Sequence, residues 1–335
     1  MNLVQIIENS VTAIVVTYGN RWSQLVKNIQ RLCQIPEINE LIIVDNASQY
    51  NVENKVSNLK ELKISISVIR NSKNEGSSGG FSAGLRAAQK TKTPFFLLLD
   101  DDNLVAKNAL SNINKNGSDI LNNPKGVIAL YRQNMHKKVF SRDFDYTLRH
   151  YQNNFHYFSL YNHIFKSANK KQRVNSDFAY VVTAPYSGLL IPRQVIDDVG
   201  YPNKEFYLYV DDIEYTYRMT LKGYSIYIFK NGNIEDTEGL WGGAREKQPE
   251  MQAFFKVDLT GRGLYSFRNR AYFEQRFLMT SKFSYQINRF IYLFAVFILF
   301  MPKTKMGVRR FNQILQAEKD GYSKNLGINK KYKLF

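Results

Sequence analysis

The N-terminal part of the chain alternates between two hydrophobic periods. Thr12-Ala13-Ile14-Val15-Val16-Thr17-Tyr18 is an unbroken, β-branched run, the pattern of a strand covered on both faces. Trp22, Leu25, Val26, Ile29 and Leu32 then recur at helical spacing as far as about Cys33, and Pro36 ends the helix. Glu40 to Asp45 predicts a second strand, exiting onto Asn46-Ala47-Ser48, and helical spacing resumes from Val52 to Leu62. A third strand, Ile64 to Ile69, leads through Asn74-Glu75-Gly76-Ser77-Ser78-Gly79-Gly80-Phe81 into a helix ending near Gln89. Phe95-Phe96-Leu97-Leu98-Leu99 is the fourth strand, and Asp100-Asp101-Asp102 follow it directly. Strand and helix alternating in this way predict right-handed βαβ units: an α/β fold whose mostly parallel sheet is flanked by helices.

Parallel strands end at one rim, which is where ligands of open α/β sheets sit. Thr17-Tyr18, Asp45-Asn46, the glycine-rich stretch and the Asp triplet are therefore expected to converge. Asp100 and Asp102, at alternate positions, could grip a hard divalent cation through oxygen; a solvated acidic turn has the same composition. Gly76, Gly79 and Gly80 permit close backbone approach to a phosphate or sugar, and the helix they open aims its N-terminus at anions. The stretch is neither a G-x-x-x-x-G-K-[ST] loop nor a G-x-G-x-x-G after the first strand, which disfavours classical ATP or NAD binding.

From about Tyr131 to Asn175 the periodicity fails, and all four histidines fall there at spacings unlike a metal site. Residues 131–177 read as a variable insertion beside the active rim, partly helical or a flap. Regular structure returns with Phe178 to Thr183 and Ala184 to Ile191. Phe206-Tyr207-Leu208-Tyr209-Val210 predicts an aromatic strand that delivers Asp211, Asp212 and Glu214 onto the first turn of a helix running to about Lys222. Acidic residues suit that end of a helix, and Arg218 can pair with Glu214 four residues earlier. In a cleft, one of the paired carboxylates could instead serve as a general base. Another strand, Tyr224 to Phe229, precedes a polar loop from Asn233 to Ala244, in which Trp241 is a sugar-stacking platform or a loop anchor.

Met251 to Tyr272 predicts a helix on the catalytic core. The apolar run Phe290 to Met301, ended by Pro302, is shorter than the roughly 20 residues that span a bilayer unless Phe283 to Arg289 joins it. Lys303, Lys305, Arg309, Arg310, Lys330, Lys331 and Lys333 follow. An apolar helix flanked by cations suits interfacial binding to anionic lipid; a buried C-terminal helix or an oligomer interface is the other reading. The expected division is a catalytic domain at 1–275 and a helical, basic extension at 276–335.

Composition narrows this picture. The 335 residues are 44% hydrophobic and 22% charged, ordinary for a globular chain, whereas 22 Tyr, 23 Phe and a formal net charge of +17 point to an anionic partner. The single cysteine, Cys33, excludes an intrachain disulfide framework and a multi-cysteine zinc site. With no disulfide pressure, a reducing cytosolic location is expected, on the inner face of the cell membrane; the N-terminal residues do not show the pattern of a secretory leader.

These pieces carry a resemblance. Thr17-Tyr18-x-x-Arg21, Val44-Asp45-Asn46-Ala47-Ser48, Asn74-x-Gly76-x-x-Gly79-Gly80-Phe81, Asp100-Asp101-Asp102, Asp211-Asp212-x-Glu214 with Arg218, and Tyr265-x-x-Arg268-Asn269 occur in one order. In that order they resemble the family 2 glycosyltransferases, inverting enzymes of the GT-A fold, over residues 11 to 275. Gly-Gly-Phe followed by the Asp triplet is similar to the bacterial galactofuranosyltransferases. The resemblance implies that Thr17, Tyr18, Arg21, Asp45, Asn74, Gly79, Gly80, Asp100 and Asp101 bind a UDP-sugar. It implies that Asp100 and Asp102 hold Mn²⁺ or Mg²⁺, that Asp212 is the catalytic base, and that Asp211, Glu214 and Trp241 position the acceptor. The histidine that the family places after the following strand is absent, because no histidine follows His163. Asp236 stands near that place as a replacement oxygen ligand.

The implied acceptor is a growing, lipid-linked cell-surface glycan, with an anionic membrane surface as a further partner and a homo-oligomer left open. A rhamnosyl- or other hexosyltransferase on the same scaffold is the first alternative, and a catalytically silent scaffold another. A basic nucleic-acid-binding protein is the remaining one. Acidic clusters at the expected rim would repel phosphate backbones, so nucleic acid is not expected as a partner.

Overall fold

The structure, a computed structural model, describes residues 6, 10–60, 62–137, 139–140, 148–165, 177–236, 251, 254–255 and 261–332. Two compact units partition the chain. The first is Met1–Phe144, Gln172–Lys204 and Asp212–Leu240, and the second is Asp145–Lys171, Glu205–Asp211 and Trp241–Phe335.

The first unit is built on β1 (Val11–Thr17), β2 (Ile38–Asp45), β3 (Ser65–Arg70), β4 (Phe95–Asp100), β5 (Asn103–Val105), β6 (Gly126–Tyr131), β7 (Phe178–Val181), β8 (Leu189–Pro192) and β9 (Ser225–Asp236). Their order is β3-β2-β1-β4-β8-β6-β9-β5, with β7 also on β9. The expected parallel strands form the β3-β2-β1-β4 half. Beyond it β8 enters antiparallel to both β4 and β6, so β6 and β9 again run with β4 and end at the same rim.

Period-two alternation along β1 explains the layers. Val11, Ala13 and Val15 join the core that holds Leu25, Ile29 and Leu32 of α1 (Trp22–Leu32). The opposite residues, Ile14 and Val16, meet α3 (Gly76–Ala88) where it carries Gly84 and Gly80. A Cβ on Gly80 would lie 2.6 Å from Val16 Cγ1, and one on Gly84 2.3 Å from Ile14 Cγ2. These glycines therefore let α3 lie close on the sheet. Gly84→Ala is expected to lower stability by about 1–3 kcal/mol through overpacking, read as a fall in the denaturant midpoint at unchanged slope.

Two elements of this unit differ from expectation. α2 is short (Val52–Ser57), capped by Asn51, whose side chain accepts from Asn54 N at 2.9 Å. Leu59 and Leu62 still pack on the core without being helical. β9 is long: residues 233–236, expected in a loop, continue it, and 234–236 pair antiparallel with β5, setting Asp236 opposite Asn103.

The second unit is helical, with Arg262–Phe273, a π-helical turn Glu274–Leu278, Lys282–Leu299 and Gly307–Tyr322. Residues 256–260, inside the expected Met251 to Tyr272 helix, lie outside the described ones. Phe155, Tyr265, Tyr285, Leu293, Val296 and Ile314 are among its core. The expected aromatic strand before Asp211 is not a strand. Tyr207, Tyr209 and Val210 adopt φ of 62°, 67° and 65°, a left-handed conformation that is exceptional for a β-branched residue. A distant side chain enforces it: Asn269 Nδ2 lies 2.8, 2.8 and 2.9 Å from the carbonyl oxygens of Phe206, Leu208 and Tyr209. Arg268 adds bonds to Phe206 O at 3.2 Å and Gly327 O at 2.6 Å.

Candidate active site

β1, β2 and β4 finish in register, Thr17 beside Asp45 and Val16 beside Asp100. The expected convergence of polar exits follows directly, and each exit is fixed by hydrogen bonds. Asp101 is 2% exposed. Its Oδ2 accepts from Thr17 Oγ1 at 2.6 Å, and Arg21 Nε donates to both its oxygens at 2.8 and 3.0 Å. Arg21 Nη2 extends to Asp102 Oδ2 at 2.8 Å, and Asn103 Nδ2 donates to Asp102 Oδ1 at 3.0 Å. Burial pushes the Asp101 carboxyl up to about 7, against the pull of Arg21 and Thr17. Burial also works against the Arg21 charge, yet Asp101 and Asp102 lift its pKa above that of an ordinary arginine. Asp101 faces inward as the anchor of Arg21, whose guanidinium also lies 5.4 Å from the Tyr18 ring centre.

Asp45 is buried with both oxygens engaged, Oδ1 by Ser48 N at 2.7 Å and Oδ2 by Arg70 Nη1 at 2.5 Å. It holds the turn at Ala47, whose φ is 60°. Only its remaining lone pairs are available to a base N–H. Asn46 ties this turn to the glycine-rich stretch: its Nδ2 donates to Asn74 Oδ1 at 3.0 Å and Gly76 O at 2.9 Å, while its Oδ1 accepts from Glu75 N at 2.9 Å. The stretch is already helical from Gly76, so Gly79 and Gly80 lie inside the first turns of α3 rather than in a loop before it.

Asp100 carries the next layer. Its Oδ2 accepts from Ser187 Oγ, and its carbonyl accepts from Asn28 Nδ2 at 2.9 Å. Asp212 is the second residue of the helix Asp211–Leu221. Burial pushes its carboxyl up to about 6, the negative charge of Asp100 adds to the rise, and Ile213 N–H and the Arg132 guanidinium oppose it. The charge of Asp100, far from Asp212 in the chain, therefore reaches the Asp212 carboxyl. Glu214 is buried and bound to Arg218 Nε at 2.7 Å, and Arg218 in turn holds Val199 O and Tyr201 O. Its Oε2 accepts no hydrogen bond among the described residues. Asp211 is buried. Trp241 lies outside the described residues, and of Asp236 only the backbone is described.

Several participants were not singled out by the sequence. Ser187 and Arg132 reach the rim because β8 starts there and β6 ends there. Both depend on strand direction, which no local pattern carries. Arg70 closes on Asp45 from the end of the neighbouring strand β3.

A divalent cation fits Asp100 and Asp102 by donor type, since both offer hard carboxylate oxygens. The effect of Asp100 on Asp212 marks negative potential that a cation would relieve. Among the described residues no group of three His, Cys, Asp or Glu side chains is arranged to hold one.

Among the described residues a mixed nine-stranded sheet flanked by helices, with acidic exits gathered at one rim, and further helices in the C-terminal part of the chain define a GT-A-like fold. The solved structure of GalNAc-T7 with UDP, GalNAc and Mn²⁺ is similar at TM-score 0.55 and 11% identity, over 95% of this chain and 55% of that one. This chain thus spans little more than half of that protein's length. Residues 1–349 of S. aureus TarS with UDP-GlcNAc are similar at TM-score 0.52 and 13% identity, over 93% of this chain and 81% of that one. At such identities the likeness concerns the fold alone. Residues 12–166 match the family model "Glycosyl transferase family 2". No curated protein gives a significant sequence match.

Proposed function

We propose that the protein is an inverting glycosyltransferase that takes a sugar from a nucleoside diphosphate donor to a hydroxyl of a glycan. The observation that carries this reading is Asp212, a buried carboxyl lifted to about 6 in part by the charge of Asp100 at the exit of β4. A base poised just below neutrality stays ionised at pH 7 yet is basic enough to draw a proton. Asp212 removes the acceptor hydroxyl proton, the oxygen attacks the anomeric carbon from the face opposite the diphosphate, and the bond to the diphosphate breaks with its electron pair. Arg21, held by Asp101 and Asp102, supplies fixed positive charge at the rim, and Thr17, Tyr18, Asp45 and Asn74 frame the nucleotide. Asp100 and Asp102, with Asp236, would hold Mn²⁺ or Mg²⁺, which supplies charge neutralisation on the leaving diphosphate.

The donor we assign is UDP-galactofuranose, on the resemblance carried by Gly79-Gly80-Phe81 and Asp100-Asp101-Asp102, and the acceptor is a lipid-linked cell-surface glycan extended at the cytoplasmic face. Mass spectrometry of products from a panel of UDP-galactofuranose, UDP-galactopyranose and dTDP-rhamnose with extracted lipid-linked oligosaccharides tests this. A hexose added only from UDP-galactofuranose is expected, with loss of product on chelation. Transfer from dTDP-rhamnose alone would reassign the donor, and no transfer with intact donor binding would leave a silent scaffold.

A further inference from the structure

Between Glu274 and Glu318 the chain contains no Asp or Glu, and all its charged residues are Lys or Arg. Within that stretch the helix Lys282–Leu299 takes up both the apolar run and the segment before it. Its apolar residues separate into two faces. Tyr285, Leu293 and Val296 are buried in the core of the second unit. Phe283, Ile287, Phe290, Phe294, Phe297 and Ile298 point outward, with Phe283 77% and Phe290 69% exposed. Their alternating three- and four-residue spacing sets them in one sector roughly 100° wide. Scattered exposed apolar residues are ordinary, but a continuous aromatic strip marks a surface that is covered in use.

The two ends of the strip carry exposed cations, Lys282 at one and Lys303, Lys305 and Arg309 at the other. That charge decides between occupants. A second copy docked by a two-fold axis would bring the same cations together with no acid to answer them. A lipid surface rich in phosphate answers all of them at once.

The opposite face decides between crossing a bilayer and lying on it. At about 27 Å the helix is long enough to come near spanning. Yet Tyr285 Oη donates to Glu274 Oε2 at 3.0 Å, Asn288 bonds Asn153 O at 2.8 Å and Leu160 N at 2.9 Å, and Arg289 Nη2 reaches Glu318 Oε2 at 2.8 Å. Crossing would strip all of these. We propose that the helix lies in the plane of an anionic bilayer, with the phenylalanine strip at the acyl boundary and Lys282, Lys303, Lys305 and Arg309 on headgroup phosphates.

The test is co-sedimentation of the full-length protein with vesicles of phosphatidylcholine, with and without phosphatidylglycerol. It uses no donor or acceptor, so it stands or falls apart from the proposed activity. Wild type is expected to pellet with the mixed vesicles and to be released by salt. Phe290→Ser with Phe294→Ser is expected to weaken partitioning at least about tenfold, at an unchanged unfolding temperature, because both rings face outward. Lys303→Glu with Lys305→Glu and Arg309→Glu is expected to abolish the preference for anionic vesicles, which keeps the test decisive if the first variant fails to fold. Equal pelleting of wild type and both variants would overturn the proposal. So would a dimer in solution that the phenylalanine variant breaks while wild type ignores vesicles.

Discussion

Replacing Asp212 by Asn is expected to lower kcat by about 10²–10⁴-fold, the range associated with loss of a positioned general base, while donor affinity measured by calorimetry is expected to stay within about threefold of wild type. The amide keeps the size of the carboxyl but cannot take a proton at neutral pH. The pH profile provides a second reading of the same residue. Because burial lifts the Asp212 carboxyl to about 6, and the base works ionised, kcat/KM is expected to fall tenfold per unit as pH drops below that value. Asp212→Asn removes this acid limb and leaves a flat residual rate. Asp100 adds to the rise, so a saturating divalent cation at Asp100 shifts the limb to lower pH. A wild-type profile without an acid limb near 6, or an Asn variant with near-normal kcat, would move the base to another residue.

Asn269→Leu is expected to destabilise the protein by about 2–5 kcal/mol, measured by chemical denaturation. Asn269 is fully buried, and its amide is shared by three backbone carbonyls. Leucine fills similar space but takes away the donor these oxygens share, and a buried hydrogen bond lost on one side costs about 1–3 kcal/mol; Phe206 O keeps its bond from Arg268. The turn it releases holds Tyr207, Tyr209 and Val210 at positive φ, a strain of about 1–3 kcal/mol per residue that persists only while the surroundings impose it. That turn runs straight into the helix that begins Asp211-Asp212. The variant is therefore expected to lose kcat with little change in donor dissociation constant. Wild-type stability in Asn269→Leu would show that the turn keeps its form without the amide.

The parallel half of the sheet was legible because its strands are apolar on both faces and its helices are periodic. Thr12 to Thr17, Glu40 to Asp45 and Phe95 to Leu99 each fall on a strand. Once those strands were parallel, Thr17, Asp45 and Asp100 had to end at one rim. Residues 206–210 misled for an equally physical reason. Phe, Tyr and Val favour strands by local preference, but Asn269, 60 residues beyond Tyr209, sets the backbone there. The strand after Tyr224 is expected to end at Phe229, with a polar loop from Asn233, because the local pattern turns polar there. Pairing with β5 carries it on to Asp236.

By itself the sequence determined which segments are strands and which carboxylates leave them, since burial and hydrogen-bond periodicity are written residue by residue. Only the tertiary structure decided how those carboxylates are used. Asp101 turns inward to Arg21 and Thr17, Asp100 meets Ser187 and the field of Asp212, and one face of the helix Lys282–Leu299 is left uncovered. Each of these depends on the direction and packing of elements distant in the chain, where the energy of a side chain is set by neighbours that no local pattern names.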